Sequence, residues 1–397
     1  MAGLRTLSLT VAAVALLLAA PRVRASEPPM VFTRLSTEQG LSQVTVNDML
    51  QDGQGFVWLA TENGLNRYDG NHVRRYYRER NRVDGLASDY INALEVDRAG
   101  NIWLATEGGG LAVLDPRTDT FKSYRHSPKD ERSLASDSVY DVLVDGQGRV
   151  WAATLGRGLD RLDPATGEVT HFVHDPSRPE SLSSNLNLFA LLQDRDGSIW
   201  VSTSKGLDRY LGDGKGFERF QPPVVTGGVH QILNLMQDSH GDLWLGSFDS
   251  GLQRLDPATG RFTSYAHRDG SPSSLGSNDV RAVFEDSAGR LWVGTANGLD
   301  LLDRRSGTFE TYVPDRGDPR TLADSLLASI LQDRSGLLWV GTKSAGASRW
   351  NPRSWSLGHR RPEWLAGNPS MVNAFADAPD GGLWVGTMGA GLLQVEA

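Results

Sequence analysis

Residues Asp286–Asp303, DSAGRLWVGTANGLDLLD, read as turn, strand, turn and the start of a return strand. Asp286-Ser-Ala-Gly289 has tight-turn composition. Arg290-Leu-Trp-Val-Gly-Thr295 is a strand of aromatic and β-branched residues. Ala296-Asn-Gly298 is a second turn, where glycine supplies a positive φ. Leu299–Leu302 starts the return strand, and Asp303 opens the next turn.

This unit occurs eight times, anchored on Trp58, Trp103, Trp151, Trp200, Trp244, Trp292, Trp339 and Trp384 and spaced 44–49 residues apart. A Gly lies three residues before each Trp, and a Thr or Ser three after. An Asp lies six before the first seven; in the eighth copy, Asp377 is one residue further back. Such a period with strand–turn texture predicts an all-β fold, a β-propeller with one four-stranded blade per repeat. A single blade cannot cover both of its apolar faces, and stacking in a ring buries each on its neighbour. The Trp column is therefore read as structural. In the second repeat the strands are expected at Ile91–Val96, Asn101–Thr106, Leu111–Leu114 and Thr120–Tyr124.

The chain has 397 residues, no Cys and a net charge of -8. Disulfides, thiolate metal sites and Cys nucleophiles are excluded. A dispersed acidic balance argues against a nucleic-acid partner. Residues 1–25 have the texture of a secretory signal peptide: Arg5, an apolar run over Leu7–Ala20, and Val23-Arg-Ala25 ahead of Ser26. The run is short for a membrane span. Without residues 1–25, 37 basic side chains face 48 acidic ones, for a net charge of about -11. Residues 26–397 are read as one propeller domain with no membrane span, exported to the periplasm.

Val31-Phe-Thr-Arg34 is a lone strand that looks like the fourth strand of other repeats, such as Phe121-Lys-Ser-Tyr124. The eighth repeat ends after three strands, at Leu392–Val395. The N-terminal strand is thus expected to complete the final blade and weld an eight-bladed ring. The alternative is seven blades plus the first blade of a second ring. The seventh repeat carries a longer tail, Arg349–Ser370, with Trp350, Trp355 and Trp364.

The pattern Ser277-Asn-Asp-Val280, Glu285–Thr295 and Gly298-Leu299 resembles the two-component regulator propeller repeat, and the resemblance covers residues 31–397. It implies a periplasmic sensor region of the kind found in hybrid two-component histidine kinases and membrane-bound diguanylate cyclases. There, two rings are commonly followed by a β-sandwich, a transmembrane helix and a kinase or cyclase. The given sequence ends at Ala397, so the expectation is either an output from another, membrane-bound chain or that these residues are a piece of a larger receptor. The Asp-x-x-Gly-x-apolar-Trp turn is also similar to the Asp-box of sialidases, where it lies away from the chemistry.

Catalytic motifs are weak. Asp194-Arg-Asp-Gly197 lacks the spaced ligands of a calcium loop. His171 and His174 point to opposite faces of a strand. No phosphate loop or nucleophile elbow occurs. The reading is a non-catalytic sensor propeller without metal or cofactor that binds a small molecule or glycan. A polysaccharide hydrolase or lyase and a protein-binding scaffold are the alternatives. Loops between second and third strands share one end of the ring with the blade-to-blade connections, and they vary where the framework does not. Candidate ligand residues there are Glu62, Glu107, Arg157, Lys205, Phe248, Asp249 and Lys343. The cations suit a carboxylate, and Phe248 suits a sugar face.

Overall fold

The computed structural model describes residues 22–23, 30–79, 82, 84–224, 231–352, 371–377, 383–388 and 391–395. These are strands and turns with one 3-10 turn at Thr37–Gln39; no α-helix occurs among them. The chain divides into two units, residues 31–352 and residues 1–30 with 353–397.

Residues 31–352 build seven four-stranded antiparallel blades. Blade 2 shows the plan: Ile91–Val96, Ile102–Thr106, Gly110–Asp115 and Thr120–Tyr124, within one residue of the expected bounds. The inner strands of blades 1 to 7 are Val46–Gln51, Ile91–Val96, Val139–Val144, Leu191–Gln193, Ile232–Gln237, Val280–Glu285 and Leu327–Gln332. Each packs on the next, and Leu327–Gln332 packs on Val46–Gln51, so the ring closes.

Closure corrects the eight-bladed expectation. Phe32–Leu35 pairs with Ala347–Trp350 of blade 7, with Phe32 opposite Trp350 and Leu35 opposite Ala347. It does not complete the eighth repeat. With blade 7 directly against blade 1, there is no gap for another blade. The seam carries further ties. Lys343 Nζ donates to Asn47 Oδ1 at 2.7 Å, and the Arg334 amide to Gln51 Oε1 at 2.8 Å. Arg349 donates to the Tyr68 hydroxyl at 2.8 Å. Gly346 must remain glycine: its φ is +82°, and a Cβ there would overlap the Leu35 carbonyl oxygen.

In the other unit, Met371–Asp377, Leu383–Met388 and Gly391–Val395 form an antiparallel sheet from the eighth repeat. Arg22–Val23 joins it in parallel, beside Gln394–Val395. Trp355 and Trp364, and all but four residues of the Arg349–Ser370 tail, lie outside the described residues.

Of the seven repeat-anchoring Trp inside the ring, six are essentially fully buried and Trp103 is 3% exposed. Each of these seven indoles has an acceptor six residues back. Trp58, Trp151, Trp200, Trp244, Trp292 and Trp339 donate at 2.8 Å to Asp52, Asp145, Asp194, Asp238, Asp286 and Asp333; Trp103 donates at 3.2 Å to Asp97. The other carboxylate oxygen closes the turn. Asp194 Oδ1, for example, accepts the Asp196 and Ser198 amides at 3.1 and 2.8 Å. The calcium-loop hint at Asp194 thus resolves into a turn that caps an indole. Burial raises the Asp145 carboxyl, but bonds from Trp151 and Arg149 outweigh it and hold it below the ordinary range. Arginines cover the same rings: Arg290 lies 5.3 Å over Trp292, and Arg349 5.2 Å over Trp339. The Thr or Ser three residues after each of these Trp closes the second hairpin, as in Thr106 Oγ1 to Gly110 O at 2.7 Å and Ser247 Oγ to Gly251 O at 2.8 Å.

Candidate functional site

The hairpin between second and third strands is held to the entry of its own inner strand. The amides of Glu107, Leu155, Ser204, Phe248, Ala296 and Lys343 donate to the carbonyls of Tyr90, Ser138, Leu186, Gln231, Asp279 and Leu326 at 2.8–3.0 Å. The hairpins and the strand entries therefore form one surface at one end of the ring.

The second residue of each inner strand sits directly beneath that surface. Around the ring these are Asn47, Asn92, Tyr140, Leu233, Arg281 and Ala328, and on blade 4 Phe189, two residues before the strand, stands in their place; all are half-buried. On every blade but the fourth the register shifts at this residue, for example between Ile91 and Ala93. Asn47 and Asn92 donate across the blade seam to the Ile91 and Val139 carbonyls at 2.8 Å. Tyr140 and Phe189 of adjacent blades meet edge-to-face, with centroids 4.9 Å apart.

The hairpin residues extend this ring into three chemically distinct arcs. On blades 1 to 3, Tyr90 Oη donates to Glu62 at 2.9 Å and Ser138 Oγ to Glu107 at 2.7 Å. Burial, the Glu62 bond and the charges of Glu62 and Glu107 push the Tyr90 phenol up to about 12. Burial and the Glu107 charge also raise Tyr140. On blades 4 and 5, Phe189 is half-buried and Phe248 is 45% exposed. On blades 6 and 7, Arg281 lies 5.8 Å from the Phe248 ring centre and pairs with Asp279 at 2.9 Å. Lys343 is half-buried beside Asn47. Burial, then the Arg281 charge, lowers the Lys343 ammonium pKa.

Of the residues expected from sequence, Glu62, Glu107, Phe248 and Lys343 join this network. Arg157 and Lys205 are exposed on their hairpins, with no side-chain partner among the described residues. Asp249 accepts from the Ser250 hydroxyl at 3.0 Å. Sequence reading missed Tyr90, Tyr140, Phe189 and Arg281. For Tyr140 and Arg281 the available signal was chemical variety at inner-strand position two, where a merely structural strand would repeat one type.

Elsewhere, Asp238, His240 and Glu285 converge. Arg304 fills that cluster, bonding Asp238 and Glu285 at 2.6 Å each, so it is an ion-pair tie between blades 5 and 6. A cleft of about 300 Å³ runs along Arg74–Tyr77 and Phe121. Its Arg74 and Arg82 are already paired, with Asp119 and with Glu79 and Asp84. His171 belongs to a structural pair: its Nδ1 lies 2.6 Å from buried Asp160 on the neighbouring strand. His174 lies beyond that strand, with Nδ1 2.8 Å from the Leu182 carbonyl.

No helix among the described residues is long and apolar enough to cross a membrane. No curated protein matches the chain with significance. Among solved structures, the chain is 28% identical to the extracellular domain of a protein described as a hybrid two component system, BT3049 from B. thetaiotaomicron. That match has a TM-score of 0.71 and covers 93% of this chain and 48% of the other. The extracellular domain of BT4673 from the same organism matches at 21% identity and TM-score 0.68, over 92% of this chain and 46% of that one. The chain thus spans about half the length of these relatives. A streptogramin B lyase shares the fold at 15% identity and TM-score 0.60, over 82% of this chain and 99% of the lyase. Residues 40–63, 85–108, 133–156, 181–205 and 274–297 match the family described as two component regulator propeller. Five of the eight repeats are thus similar to two-component regulator propeller repeats.

Proposed function

We propose that the ring is the ligand-recognising input of a signalling system, a two-component or cyclic-di-GMP pathway, and that it works without catalysis. The observation carrying this reading is the hairpin end. A constant Trp, Asp, Gly and Thr frame presents Glu62, Tyr90, Tyr140, Phe189, Phe248, Arg281 and Lys343 around one opening, and these differ from blade to blade. A rigid frame with varied, half-buried polar and aromatic groups is what small-molecule recognition requires. Hydrogen bonds aimed at a transition state are not needed for it. The resemblance to the extracellular part of BT3049 supports placing the ring outside the cytoplasm, with residues 1–25 as its export signal. A membrane-bound kinase or cyclase is the partner this role calls for.

The test is calorimetry and turnover on one panel of oligosaccharides and metabolites, using the full chain. Saturable binding without product release is the expected result. Turnover at enzyme rates would replace this reading with a hydrolase or lyase. Absence of any small-molecule binding, with co-purification of a membrane protein, would replace it with a protein scaffold.

A further inference from the structure

The charges at the hairpin end are unequally satisfied. Glu62 and Glu107 each accept a hydroxyl hydrogen bond, from Tyr90 and Ser138. Arg281 has Asp279. Lys343 has only the neutral Asn47 amide oxygen; no carboxylate lies within ion-pair distance of its Nζ among the described residues. A half-buried ammonium without a counter-ion is costly, and a neighbouring guanidinium adds to the cost. Arg281 is near enough for its charge to lower the Lys343 pKa, whereas Glu62 offsets this only in part. An anion placed against Lys343 and Arg281 would relieve both. Beside them stand apolar faces: Phe248 next to Arg281, and the Phe189–Tyr140 pair further round the opening.

We propose that the hairpin end binds a sugar bearing a carboxylate or sulfate, with the acidic group on Lys343 and Arg281 and the apolar ring face on the aromatic arc. This rests on the recognition reading above and adds the ligand's charge and its orientation. A bidentate contact suits Arg281, and a point-charge contact suits Lys343. The aromatic arc supplies stacking surface that a bare inorganic anion would leave unused.

The experiment titrates the full chain with uronate oligosaccharides and sulfated disaccharides, each beside its methyl-esterified or desulfated counterpart. Binding of an acidic member should be at least about tenfold tighter than that of its neutral counterpart, as expected for a lost charged hydrogen bond. It should weaken as salt is raised. Lys343→Met should lose about tenfold or more in affinity, and Lys343→Arg should restore most of it. Lys215→Met, the same charge change on an exposed turn between third and fourth strands, should bind like the parent. If Lys343→Met fails to fold, Arg281→Gln and Phe248→Ala carry the same test. Equal binding of neutral counterparts, or unchanged binding by folded Lys343→Met, overturns the charge assignment and leaves recognition standing. If no member of either set binds, the acidic-sugar proposal falls, and the wider panel above decides whether recognition falls with it.

Discussion

Asp194 shows how one side chain fixes a repeat. Its carboxylate takes two turn amides and the Trp200 indole. Removing it strands a buried donor, so Asp194→Ala should cost about 2–4 kcal/mol in urea unfolding, well beyond a typical surface change. Replacing exposed Asp196 by Ala should be within about 0.5 kcal/mol of neutral. His171 gives a pH signature. Its bond to Asp160 raises the imidazole to about 9, against an ordinary value near 6.5. The folded state therefore holds a proton that the unfolded state releases. The pair's contribution is complete below pH of about 6.5 and lost as pH rises through about 9. Melting of His171→Gln should lack that part of the alkaline loss. At this scale the Trp, Gly, Asp and Thr marks were legible because they recur. The Asp–Trp bond was not, since a spacing of six residues does not reveal which side chains meet across a turn. The buried acceptors Asn66, Asp160, Asp208 and Asp300 were also missed. Each accepts a lead-in amide, as Asp160 does from Ala135 at 2.7 Å, and their signal was Gly-Leu-Asp/Asn.

Elements carry two further expectations. The inner strands of blades 1 to 3 place Asp48, Glu95 and Asp141 near one another. Burial lifts them to about 6, 8 and 7; the Asp141 charge adds to Glu95, and that of Asp48 to both Glu95 and Asp141. All three titrate higher folded than unfolded. Their neutral forms support the fold fully below pH of about 4, and that support is lost as pH climbs through 6 to 8. Glu95→Gln should therefore raise the melting temperature at pH 8–9 and flatten its decline from pH 6. A melting temperature unchanged at pH 9 would contradict the burial of a charge there. The closing strand Phe32–Leu35 is the second case. Gly346→Ala should disturb its pairing and cost about 2 kcal/mol or more, because positive φ and backbone overlap act together. Strand positions were legible from the two-residue alternation, as blade 2 shows. The candidate site residues Tyr140 and Arg281 on the inner strands were not, because they also satisfy that alternation.

For the whole molecule, counting repeats and closing a ring proved to be different questions. Eight Trp marks predict eight blades only if the terminal strand joins the last copy. Phe32–Leu35 instead joins the seventh. That choice turns on long-range pairing between residues some 315 positions apart in sequence, which local pattern does not encode. The hairpin end was legible as a surface because propeller topology fixes which loops share an end. Its composition was only half legible, since Glu62, Glu107, Phe248 and Lys343 lie on the hairpins while their neighbours lie on strands. The central claim is that this end recognises an acidic sugar. Hydrogen exchange of the full chain, with and without the tightest-binding acidic oligosaccharide, tests it most directly. The account predicts protection at the strand entries near Tyr90, Tyr140 and Arg281 and at the hairpins of Phe248 and Lys343. Protection confined to the Asp-to-Trp turns at the opposite end, such as Asp52–Gly55 and Asp194–Gly197, would contradict it.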